Sequence, residues 1–127
     1  MIKKITTEKA PKAVGPYSQG IQAANFVFTA GQLGIDPVSG KMVEGGIKAQ
    51  ARQVMVNLQA VLRAANTDFS RVVKATVYLS NINNFSEFNK VYSEYFSPER
   101  PPARSAFQVG ALPLGALVEI EMIAMVE

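Results

Sequence analysis

The sequence predicts an α+β fold, a single mixed β-sheet with two helices on one face, and three observations predict it. Segments of period two and period three-to-four follow one another as strands, helix, strand, helix, strands. No repeat, linker or low-complexity segment interrupts that order. The chain has 127 residues, 48% of them hydrophobic and 18% charged, enough for one domain over 1–127 with its own core.

Residues 2–7 alternate weakly and are expected to form a short first strand. Two prolines and a glycine deny regular structure to Ala10–Pro16. Tyr17–Ala23 and Asn25–Thr29 read as two strands about a tight turn near Ala24-Asn25. Gly31 to Gly46 is punctuated by glycines and Pro37, and Asp36–Gly40 within it reads as a turn-rich loop. Ile47–Ala65 is the clearest helix. Ile47, Ala51, Val54, Met55, Leu58, Val61, Leu62 and Ala65 recur every three or four residues, with Lys48, Arg52 and Arg63 on the wet side. Asn66-Thr67-Asp68 ends it.

Val72–Leu79 alternates as a strand, with Val73, Ala75, Val77 and Leu79 on one face. A second helix is expected over Phe85–Phe96, with Asn84 as N-cap, Glu87 in the first turn and Phe85, Phe88, Val91, Tyr92, Tyr95 and Phe96 on its inner face. Pro98, Pro101 and Pro102 forbid its continuation. Ser105–Val109 and Leu117–Val126 read as the closing strands around a turn at Leu112-Pro113-Leu114-Gly115. The last strand is apolar on one face (Val118, Ile120, Met122, Ala124, Val126) and largely apolar on the other. Two helices cover one face of a sheet, so a second copy of the chain is expected to cover the other.

Composition excludes several chemistries. The chain has no Cys and no His, so a disulfide, a thiol nucleophile, a His-based triad and a zinc site of nitrogen or sulfur ligands are all impossible. Its ten acidic residues show no clustered pattern for Mg²⁺ or Ca²⁺. Gly45-Gly46 lacks the Lys and Ser or Thr of a phosphate loop. Catalysis is left to carboxylate, guanidinium, amine, hydroxyl or backbone groups, with no metal and no cofactor expected. The net charge of +3 comes from scattered basic residues, a solvated surface rather than a nucleic-acid footprint. With no apolar leader and no stretch of membrane-spanning length, a cytoplasmic protein without membrane contact is the expectation.

Two charges stand in segments that otherwise read as buried strand: Arg104 in Pro101-Pro102-Ala103-Arg104-Ser105, and Glu119 in Leu117-Val118-Glu119-Ile120-Glu121. A charge in such a place is costly unless paired or used. One reading is a structural ion pair of Arg104 with Glu119 or Glu121, which periodicity alone favours. The other is an anion-binding fork with a carboxylate that activates water. Tyr17 is either a core aromatic or a hydroxyl reaching into a cleft, Gly31 either a bend or a point of close backbone approach, and Asn89 either solvated or part of a site.

Gly15-Pro16-Tyr17-Ser18-Gln19-Gly20, Gly31-Gln32, Val72-Val73-Lys74-Ala75-Thr76-Val77, Pro102-Ala103-Arg104-Ser105 and Val118-Glu119-Ile120-Glu121 together resemble the RidA family, also called YjgF. The resemblance runs over essentially the whole chain. It implies a fold like chorismate mutase of the bacillary type. Three chains would form a trimeric barrel with clefts between subunits. It implies hydrolysis of reactive 2-imino acids, or their enamine tautomers, to 2-oxo acids and ammonia. Those substrates arise from dehydratases acting on serine or threonine. The family's carboxylate-binding arginine falls on Arg104, its water-positioning glutamate on Glu119 and its cleft tyrosine on Tyr17. Its pocket positions fall on Gly31, Asn89 and Ala106. Many members carry Cys where this chain has Ala106, and Ser where it has Ala30, so a thiol is not essential here. A metabolite-binding trimer without turnover and an RNA-cleaving enzyme are the competing functions. A pure carboxylate binder gains little from the negative charge of Glu119. RNA cleavage lacks both a His and a basic stripe.

Overall fold

The computed structural model describes residues 1–126. Six strands form one sheet: β1 Ile2–Ile5, β2 Gly20–Ala23, β3 Phe26–Thr29, β4 Val72–Leu79, β5 Ala103–Gln108 and β6 Val118–Met125. Two helices, α1 Gly46–Ala64 and α2 Phe85–Tyr92, stand between them in the chain. The spatial order is β1-β2-β3-β6-β4-β5. Every pair is antiparallel except β4–β5. A parallel pair needs a long crossover, and α2 lies in that connection. The sheet is therefore mixed, as the segment order implied.

The core fills the space between α1, α2 and one face of the sheet. Val54, Met55, Leu58, Val61 and Leu62 of α1 meet Val27 of β3, Ala75, Val77 and Leu79 of β4, and Val118, Ile120 and Met122 of β6, all fully or almost fully buried. The predicted stripe of α1 is thus the buried one, and two polar residues, Gln50 and Asn57, join it. The helix closes one residue earlier than expected. Asn66 adopts φ 62° just beyond it, and the amides of Ala65 and Thr67 both donate to the Leu62 carbonyl, a left-handed stop that Asn tolerates well.

Five expectations need correction. Tyr17–Gln19 is not strand: β2 begins at Gly20, because Gln19 turns its amide onto the preceding loop. It accepts from the Thr7 amide and donates to the Thr7, Ala10 and Pro11 carbonyls. In β4 the inward set is Val72, Ala75, Val77 and Leu79, without Val73. A bulge between Val72 and Lys74 shifts the register against β6 and reverses the alternation there. The second helix ends at Tyr92 and tightens into a 3-10 turn over Ser93–Tyr95. Asn84 makes no capping bond; Asn81 accepts from the Asn83 amide and caps a 3-10 turn that leads into α2. The strand carrying Arg104 starts directly after Pro102, two residues earlier than expected. As an end strand it has one side without a partner, where the preceding prolines disturb nothing.

The other face of the sheet is uncovered in a single chain. Phe28 and Phe107 there are 43% and 45% exposed, and Phe26 and Met125 are exposed beside them. Among the described residues, no helix is long and apolar enough to cross a membrane.

Candidate active site

The pairing of β4 with both neighbours decides where the two candidate charges go. Ala75 is the partner of Arg104 across β4–β5, and Tyr78 is the partner of Glu119 across β4–β6. Paired residues share a face, and residues three apart on a strand point to opposite faces. Ala75 belongs to the helix-covered face, so Arg104 does too. Tyr78 belongs to the open face, and so does Glu119. The two charges lie on opposite sides of one sheet.

Arg104 lies half-buried against α2. Its Nη1 donates to Asn89 Oδ1 at 2.8 Å. The guanidinium carbon is 4.8 Å from the ring centre of Tyr92, 5.3 Å from that of Phe85 and 6.0 Å from that of Phe88. Ala106, two residues along β5, shares that face beside it. The expected ion pair with Glu119 or Glu121 is not formed, because both carboxylates are on the far side of the sheet.

Glu119 lies in a cleft of about 1150 Å³ with Tyr17, Gly31, Ile35, Val38 and Leu114 among its walls. Here the chain leaving β3 runs on beside β6: Gln32 and Ile120 exchange both backbone hydrogen bonds, at 2.9 and 3.2 Å. That bridge lays Gly31 against Glu119. A methyl group at Gly31 would collide with the Glu119 carboxylate, falling 2.9 Å from its Cδ and 3.0 Å from its Cγ. Only glycine leaves the carboxylate that space. The carboxylate accepts no hydrogen bond from any described residue, and burial, aided by the negative charge of Glu121, holds its pKa above the usual glutamate range. Glu121 is better served: Tyr78 donates its hydroxyl to Oε1 at 3.1 Å. Tyr17 stands at the mouth, 52% exposed, its hydroxyl 3.4 Å from the Val14 amide that donates to it.

The six candidate residues therefore fall into two groups. Arg104, Asn89 and Ala106 make a guanidinium-bearing half on the helix-covered face at the end of the sheet. Tyr17, Gly31 and Glu119 make a carboxylate-bearing cleft on the other side. Among the described residues neither Arg104 nor Glu119 forms an ion pair, although Lys12 is also on the cleft wall.

A family model described as endoribonuclease L-PSP matches residues 7–126. The chain belongs to this family, the RidA family. A RutC family protein of Pyrococcus horikoshii is 52% identical over 127 residues, covering 100% of both chains. A Bos taurus protein named 2-iminobutanoate/2-iminopropanoate deaminase is 51% identical over 123 residues, 97% of this chain and 89% of the relative. The crystal structure of a Rid family protein from Yersinia pestis superposes with a TM-score of 0.96 at 47% identity, covering 99% of this chain and 100% of its own.

Sequence reasoning missed the residues that hold each half of this candidate site. Phe85, Phe88 and Tyr92 read as the inner face of a helix, and nothing in their spacing separates a ring packed on a guanidinium from one packed on leucine. Asn57 read as nothing at all. It is fully buried, donates to the Leu33 and Ile35 carbonyls at 3.0 and 2.9 Å, and accepts from Gln53 at 2.9 Å. It thereby ties the cleft wall to α1. A polar residue on the apolar stripe of a long helix was the available signal.

Proposed function

We propose that the chain hydrolyses 2-imino acids and their enamine tautomers to 2-oxo acids and ammonia. In this reading it works in the cytoplasm as a homotrimer whose sites are shared between copies. The Arg104 edge of one copy closes the Glu119 cleft of the next. The observation that carries this reading is the pair of half-buried, opposite, unanswered charges on the two faces of one sheet. Each is a poor structural feature alone; brought together across an interface they bracket a small carboxylate. The exposed aromatics of the open face support such a neighbour, and the name of the bovine relative supports the reaction.

The chemistry follows from the groups. The free edge of the Arg104 fork takes the substrate carboxylate through two parallel hydrogen bonds, with Asn89 beside it. Glu119 accepts a proton from a water molecule as its oxygen attacks C2. The C=N electron pair moves to nitrogen and gives a tetrahedral carbinolamine. The proton held by Glu119 is the one the departing nitrogen needs. The C–N bond breaks as the hydroxyl gives its proton back to the Glu119 carboxylate, the carbonyl forms, and ammonia leaves. A protonated imine is electrophilic already, so positioning and general-base help of about 10²–10⁴-fold suffice. A raised carboxylate pKa favours this exchange near neutral pH.

Complementation tests the reading. Arg104→Ala and Glu119→Gln are each expected to lose at least about 10² of activity on 2-iminobutanoate made in situ by a threonine dehydratase. Unfolded, mixed in equal amounts and refolded, they restore intact sites wherever a Glu119→Gln copy supplies Arg104 to an Arg104→Ala copy. That is about one quarter of the sites in a randomly mixed ring. No recovery on mixing refutes the shared cleft, as does a stable monomer in sedimentation. A wild-type protein that does not speed imine decay over buffer refutes the reaction.

A further inference from the structure

We propose that Tyr92 and Phe85 are positioning residues for the reaction, acting through Arg104 by fixing the plane and heading of its guanidinium before substrate arrives. The inference rests on the carboxylate-binding reading of Arg104. It adds a role for a pair of rings that read as core.

Three observations lead to it. First, the Arg104 guanidinium is half-buried, yet its one hydrogen bond to a described residue goes to the neutral Asn89 Oδ1. A cation so placed needs other compensation, and the ring faces supply it at 4.8 and 5.3 Å. Second, Tyr92 is 6% exposed, and its buried hydroxyl has no hydrogen-bond partner among the described residues. Burial pushes that phenol up to about 12, against the opposing pull of Arg104. A tyrosine whose hydroxyl is left unserved is held there for its ring. Third, the rings are themselves immobilised. Tyr92 packs in tilted contact with Phe96 and Phe88, ring centres 4.8 and 5.5 Å away, and Phe88 is fully buried.

The consequence is specific to a planar guanidinium. Arg carries a long, rotamer-rich stem. With Nη1 tied to Asn89 and the guanidinium carbon held over two rings, the remaining edge has few headings left. A carboxylate then meets a fork that needs no ordering and has one face already free of water. Loosening the rings returns that ordering cost to the binding step and leaves the chemical step, which belongs to Glu119, alone.

The test is a split of kinetic constants on the full-length protein, with 2-iminobutanoate as substrate and 2-oxobutanoate as a non-reacting carboxylate for titration calorimetry. Tyr92→Leu keeps apolar volume and removes the π face. It is expected to raise KM and the 2-oxobutanoate Kd about tenfold, with kcat changed less than about twofold. Tyr92→Phe keeps the face and is expected to retain wild-type constants, which rescues the loss. Phe85→Leu, at a half-buried position where folding is not at stake, is expected to weaken both constants a few-fold. A purely structural role would instead lower the melting temperature of Tyr92→Leu and leave KM and Kd unmoved. That result, or a wild-type Kd in Phe85→Leu should Tyr92→Leu not fold, overturns the proposal. A wild type that binds 2-oxobutanoate without accelerating imine decay refutes the deaminase reading alone, since the variants are then read by Kd. A wild type that binds no 2-oxobutanoate refutes both.

Discussion

Gly31→Ala gives the most direct test of how Glu119 is held. The new methyl would overlap the Glu119 carboxylate, and it would lie 2.9 Å from Cδ where ordinary contact begins near 3.4 Å. The obstructed group is the end of a side chain and can swing aside, so the fold loses little. The carboxylate must move by about 1 Å, and a displacement of that size at a reacting group costs about 10² in rate. That is roughly 2.7 kcal/mol of transition-state stabilisation. Gly31→Ala is therefore expected to melt close to the wild type while kcat on 2-iminobutanoate falls about 10²-fold. Because the damage passes through Glu119, Gly31→Ala should add almost nothing to Glu119→Gln. The assay is dehydratase-coupled imine decay on both single variants and the double. Full activity in Gly31→Ala refutes the argument. So does a double variant losing the product of the two single effects, which would mean that Gly31 acts on the ligand directly.

Two further predictions concern charge and anchoring. Burial and then Glu121 raise the Glu119 pKa, so the acid limb of the kcat profile is expected above the ordinary glutamate value of about 4.3, and Glu121→Gln should move it down. The folded state then binds its proton more tightly than the unfolded state. Stability therefore falls as pH rises from the ordinary value to the raised one; Glu119→Gln should flatten that slope in denaturant titrations, and an unchanged slope contradicts the assignment. Asn57→Leu strips the Leu33 and Ile35 carbonyls of a buried donor. A loss of about 2–4 kcal/mol and a midpoint lowered by roughly 10 °C are expected in thermal melts; a wild-type midpoint would show that the loop holds without it.

Much of the architecture was legible because burial writes a period into the chain. The α1 stripe and the alternation of β6 follow directly from which face meets the core. The exceptions have local physical causes. Val72 and Val73 are both apolar, so no pattern announces the bulge that turns Val73 away. Gln19 forms its four hydrogen bonds to the loop before it, and composition does not reveal which way an amide points. Asn84 and Asn81 are equally good caps in sequence; only the 3-10 turn between them decides that Asn81 is used. Arg104 and Glu119 stood out as candidates by type, since a guanidinium and a carboxylate in apolar strands are conspicuous, whereas Tyr17, Gly31 and Asn89 were ambiguous by type and Ala106 rested on the family resemblance. Their environment was not legible: the rings around Arg104 and the close approach of the Glu119 carboxylate to Gly31 exist only once helix and strands are packed.

The least legible fact is also the one from which the reading of function follows. Arg104 and Glu119 lie on neighbours of the same central strand, and sequence does not say with which residues of that strand they align. The register puts Arg104 beside Ala75 and Glu119 beside Tyr78. The interval between those partners is odd, so the two charges take opposite faces. An even interval would have placed them together and made the plain ion pair the natural outcome. No rotamer change reverses this, because the backbone of β4 stands between them. A one-residue slip would reverse it only by turning the apolar set of β6 out of the core. The register that buries Val118, Ile120 and Met122 is the register that separates guanidinium from carboxylate. One chain therefore keeps the two charges apart, and in the proposed assembly it is a second copy that brings its own Arg104 to the cleft.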